Sequence, residues 1–141
     1  MIVSKPSIAA DTAHTLAADC VALAKADGLA IAVAVTDPQG APLALLRMED
    51  VSPPVADFAI DKAYTAATMG KSTEAFADRM SSSPALSLGL STRPRLIAWG
   101  GGVPILKDGI VVGGVGVSGA LDHQDIACAT AAIEKAGFEA G

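Results

Sequence analysis

The order of apolar and polar positions divides the chain into helical and strand-like stretches separated by turns rich in Gly and Pro. At 100° per residue Ala9, Ala13, Leu16, Ala17, Cys20, Val21, Leu23 and Ala24 share one wide face, with Asp11, Thr15, Asp19 and Lys25 opposite. This spacing predicts a first helix capped by Ser7 after Pro6 and stopped near Asp27 by Gly28. His14 falls at the edge of the apolar face. Ile31, Val33 and Val35 then alternate with a period of two, Asp37-Pro38-Gln39-Gly40 supplies a turn, and Leu43 to Met48 returns as the partner strand of a hairpin.

Ser52-Pro53-Pro54 opens a second helix from about Val55 to Met69, closed by Gly70. Ser72 or Thr73 caps a short third helix ending near Met80. The Ser-, Pro- and Gly-rich stretch from Ser81 to Pro94 has no clear period and reads as a long surface loop with room for one helical turn, a kind of segment that often borders sites. Strand-like residues follow from Arg95 to Trp99 and from Val103 to Leu106. After a turn at Lys107-Asp108-Gly109 they resume from Ile110 to Val117. Asp122 is placed to cap a last helix, with Asp125 in a capping-box-like position and Leu121 set to staple against Ile126. Short hairpin links predict an α+β fold: an antiparallel sheet of about five strands flanked by helices.

Composition adds an argument about assembly. A chain of 141 residues suits one domain spanning residues 1–141, yet 51% of it is hydrophobic and only 18% charged, against roughly 25% charged in an average soluble domain. The surplus apolar surface points to a homo-oligomer. With a net charge of −5 and aromatics limited to Phe58, Tyr64, Phe76, Trp99 and Phe138, the chain lacks the cationic stripe and stacking platform that nucleic acid requires. Apolar runs such as Ile31 to Val35 fall far short of the about 20 residues that span a bilayer. The N-terminal residues do not follow the order of a secretory signal, so a cytoplasmic location is expected. Cys20 and Cys128 lie in separate Ala-rich helical patterns without metal-ligand spacing and read as buried free thiols.

Several motifs bear on chemistry. Gly114-Val115-Gly116-Val117-Ser118-Gly119 satisfies the dinucleotide pattern, but it lies near the end of the chain with no following strand to carry the ribose-binding acid. Its glycines instead suit the close approach of another backbone or a flat ligand. Gly100-Gly101-Gly102 suits a bulge or sharp bend and lacks the Lys-Ser/Thr ending of a phosphate loop. The turn at Ser118-Gly119-Ala120 presents backbone N–H groups at a helix start, either to a ligand carboxylate or to the acids of that helix itself. Lys62 and Thr65 share a largely apolar helical face with Phe58 and Met69, which makes Lys62 a candidate catalytic acid, base or imine former. His123, at the start of the last helix, is the other catalytic candidate. Arg47 is suited to clamp a carboxylate, and His14, beside an Ala-lined surface, is a candidate axial ligand for haem iron.

Taken together, Ile31 to Asp37 with Gly40, Arg47-Met48, Asp61 to Ala67, Gly100 to Ile105, Asp108-Gly109, Val112 to Gly119 and Gln124-Asp125 resemble the GlcG/HbpS family, also described as haem-degrading or PduO C-terminal-like domains. The resemblance covers nearly the whole chain. It implies a profilin-like fold, assembly into dimers or rings as large as octamers, and haem-linked or corrinoid-linked small-ligand binding in some members. Gly101, Gly102, Ser118, Gly119, Gln124 and Asp125 join Arg47 and Thr65 as the candidate ligand-binding set. Because related domains occur beside catabolic genes, the resemblance also implies an alternative: a cofactor-free deaminase, isomerase, hydratase or lyase acting on a small unsaturated carboxylate or imine.

Overall fold

A computed structural model describes residues 1–141 as five helices and a five-stranded antiparallel sheet, an α+β fold. The helices are α1 (Ala10–Ala26), α2 (Pro53–Met69), α3 (Thr73–Met80), α4 (Pro84–Leu90) and α5 (Asp122–Lys135). The strands are β1 (Ala32–Thr36), β2 (Pro42–Arg47), β3 (Gly102–Lys107), β4 (Ile110–Ser118) and β5 (Glu139–Ala140). Their order across the sheet is β2-β1-β4-β3-β5. No helix is long and apolar enough to cross a membrane.

The two faces of the sheet carry side chains of different size. On one face Val33, Val35, Val103, Ile105, Val115 and Val117 bury against Leu16 and Cys20 of α1 and Ala129 and Ile133 of α5. On the other face Ala32, Ala34, Gly102, Gly114 and Gly116 meet α2, whose Ala59, Ala63 and Ala66 are fully buried. Without side chains between them, the helix backbone settles onto the strands. A Cβ at Gly114 would stand 2.6 Å from the Ala63 carbonyl oxygen, and one at Gly116 would overlap the Ala59 carbonyl oxygen. The glycines of the dinucleotide-like motif therefore serve the approach of α2.

Several local expectations change. The N-cap of α1 is Ala9, with no side-chain cap; the Ser7 hydroxyl donates instead to the Ile8 carbonyl. The stretch expected to be a loop contains the seven-residue α4, because the Ser83 side chain caps it and Pro84 fits its first turn. Arg95 to Trp99 is not a strand. Arg95 has φ +75°, and the backbone of Arg95 and Ile97 hydrogen-bonds to the Thr65 hydroxyl rather than to a neighbouring strand. The fifth strand is the two-residue β5 beside β3, too short to carry a period in the sequence. Asp122 is not the cap of α5. Leu121 occupies that position and remains 63% exposed, so it does not staple to Ile126.

If the contact between α2 and the sheet limits stability, Gly116→Val should cost about 3 kcal/mol or more in urea unfolding, through overpacking against backbone. Gly89→Ala, on α4 with open space around it, should leave stability unchanged or raise it by up to about 1 kcal/mol.

Candidate functional site

Along the glycine- and alanine-faced contact, Lys62 is the only residue of α2 that is both charged and buried. Its aliphatic stem passes Gly116, and Nζ donates to the Val117 carbonyl at 2.9 Å and to Asp125 Oδ2 at 3.4 Å. Asp125 reaches this point from the first turn of α5, where its other oxygen accepts the Ala120 N–H at 3.1 Å. The two side chains are 1% and 2% exposed. Beside them Gly101 adopts φ +131°, and a Cβ there would lie 2.6 Å from Nζ, so the absence of a side chain leaves room for the ammonium.

Burial pushes the Lys62 pKa down and the Asp125 pKa up, while the attraction of each for the other opposes the shift. The pair joins α2 to the end of β4 and the start of α5. Over it lie Trp99, with its ring centroid 6.0 Å from Nζ, and Phe58, edge-on to Trp99 at 5.8 Å. Phe58 and Trp99, 40% and 42% exposed, form an apolar surface beside the pair, and Leu121 at the start of α5 is 63% exposed.

Most of the residues singled out in the sequence converge on the same end. Arg47 pairs with Ala32, which pairs with Ser118 on its other side. The Arg47 guanidinium donates to the Val51 and Met48 carbonyls and so fastens the loop that enters α2. Ser118 is buried, and Gly119 lies against the Ala30 carbonyl. The N–H groups after this turn are taken by the chain's own side chains: Asp125 accepts from Ala120, and Gln124 accepts from Leu121. Further along α2, the Thr65 hydroxyl donates to the Arg95 carbonyl and accepts the Ile97 N–H, while Gly102 donates to the Thr73 hydroxyl.

The two histidines occupy different places. His123 lines a cavity of about 330 Å³ with Leu23, Asp27, Leu29, Gln124 and Cys128. His14 is exposed on α1. The C-terminal end of α1 leads into β1 at the Arg47 and Ser118 end of the sheet, and His14 lies more than three helical turns away, about 18 Å along the axis. The structure therefore does not bring His14 together with Arg47, Lys62 or Ser118. Cys20 and Cys128 are free and buried, and burial pushes the Cys20 thiol up to about 12.

Sequence reasoning missed the pairing of Lys62 with Asp125 and the surface made by Phe58 and Trp99. A usable signal existed for the pair: a lysine set among alanines on an inward face needs a buried partner, and Asp125 stands just after the glycine-rich strand that the helix covers.

Comparisons with known proteins find the same sequence pattern and the same fold elsewhere. The sequence profile of the family described as Haem degrading protein HbpS-like matches residues 8–134. Protein GlcG of Escherichia coli K12 is 36% identical over 95 residues, covering 67% of this chain and 69% of that protein. A double variant of Streptomyces reticuli HbpS has the same fold with a TM-score of 0.86 at 30% identity, covering 95% of this chain and 90% of that one. A PduOC–haem complex gives a TM-score of 0.83 at 27% identity, covering 96% and 97%.

The buried pair makes a measurable prediction. Lys62→Met leaves Asp125 buried without its cation and should cost about 3–5 kcal/mol in urea unfolding. Adding Asp125→Leu to that variant should recover much of the loss.

Proposed function

The chain belongs to the HbpS-like family, and from that premise we propose that it is a small-ligand-binding domain for a flat, anionic ligand of the haem type, with His14 as the axial ligand. The observation that carries the reading is the likeness, over nearly the full length of both chains, to a domain seen in complex with haem.

The surroundings of His14 fit such a group. The imidazole lies on the exposed side of α1, and Ala10 and Ala18, one turn before and after it, are also exposed. With Ala10 and Ala18 beside it the imidazole has a partly apolar setting in which it could hold a haem iron, although the exposed Asp11 shares that side of the helix. Bound haem would supply a redox-active iron centre, which His14 would hold. His14 lines none of the cavities of one chain, so a ligand held there would need a second copy to enclose it. A second copy covering it accords with a homo-oligomer, dimer to octamer. The geometry gives less to a cofactor-free enzyme, since Lys62 is out of solvent and held by Asp125.

Titration of the purified protein with hemin should give a saturable Soret shift that is weakened or displaced in His14→Ala and retained in His123→Ala. An unshifted hemin spectrum at stoichiometric protein would end the proposal, and loss of the shift only in His123→Ala would reject His14 as ligand.

A further inference from the structure

The opposite layer of the molecule carries an apolar hollow that the haem-type reading does not use. It has a volume of about 400 Å³ and lies between the end of α2, α3 and α4, with walls from Met69, Phe76, Met80, Leu86, Leu90 and Leu96. Arg93 stands at its rim and is the only charged residue lining it. No carboxylate pairs with Arg93, and its guanidinium makes no hydrogen bond within the chain, although the protein carries 15 acidic residues against 10 basic ones. A second observation concerns α4. Its sequence, Pro84-Ala-Leu-Ser-Leu-Gly-Leu90, is mostly apolar, yet none of its residues is buried. Leu86 and Leu90 are only half-buried, and Met69 across the hollow is 43% exposed.

We infer that this hollow binds an aliphatic carboxylate, with the hydrocarbon chain lying among the Met and Leu side chains and the carboxylate on Arg93. Flexible thioethers and leucines adapt to a linear chain without demanding a fixed shape. A guanidinium free of any acid suits a carboxylate through two parallel hydrogen bonds. The hollow falls in the size range of small-molecule sites, and its occupant would cover the apolar side of α4 that the fold leaves open.

The inference is independent of the haem-type site. His14 lies on α1, which packs on the valine-rich face of the sheet, whereas the hollow is on the side of α2.

Calorimetric titration with hexanoate, octanoate and decanoate should show affinity rising by about fourfold per methylene until the hollow is filled. Arg93→Ala should weaken decanoate binding at least tenfold while changing 1-decanol binding less than threefold. Ala85 also lines the hollow, and Ala85→Trp should block both ligands, with circular dichroism and urea unfolding to verify that each variant is folded. Hemin and decanoate should bind wild-type protein together. The inference is overturned if affinity does not depend on chain length or if Arg93→Ala binds decanoate as wild type does. It is equally overturned if hemin and decanoate compete, or if the hollow is closed by self-association that decanoate fails to reverse.

Discussion

The seating of one helix backbone directly on a strip of glycine and alanine is the constraint on which the rest of the molecule depends. Because Gly102, Gly114 and Gly116 offer no side chains, α2 lies close enough for Lys62 to reach the end of β4. A wider gap would strand that ammonium between layers, where the cost of desolvation would have no compensating partner. The same closeness lets Thr65 satisfy backbone groups of Arg95 and Ile97, a segment that therefore needs no place in the sheet, and lets Thr73 accept the Gly102 N–H where β3 begins. Packing, polar satisfaction and the path of an irregular segment all follow from missing Cβ atoms.

Much of this architecture was legible in the sequence where a period ran long enough. The β1–β2 hairpin, α2 with its Gly70 stop and α3 with its Ser72 cap stand where alternation, proline and glycine place them. The misreadings have separate physical causes. Arg95 to Trp99 has the composition of a strand, but a left-handed Arg95 and the Thr65 hydroxyl take its backbone elsewhere. The two residues of β5 gain their pairing from β3 alone, which no local pattern records. At the start of α5 the acids were recognised but given the wrong positions, since Leu121 rather than Asp122 is the cap.

The candidate site was legible in part. Arg47, Lys62, Gly101, Ser118, Gln124 and Asp125 do gather at one end of the sheet, but their polar groups bond mainly to one another and to nearby backbone. Residue types reveal the capacity to bind an anion or a cation. They do not reveal that the complementary group is already supplied by the same chain. Unengaged groups lie elsewhere, among them His14 on α1, His123 in its cavity and Arg93 on the opposite layer.

Trp99 gives this arrangement a built-in optical probe. It is the only tryptophan of the chain, stands 6.0 Å from the Lys62 ammonium and is partly open to solvent. Its emission colour consequently reports on the junction of α2, β4 and α5, separately from any signal averaged over all the helices. An indole so placed lets fluorescence distinguish loosening at that junction from melting of the molecule as a whole.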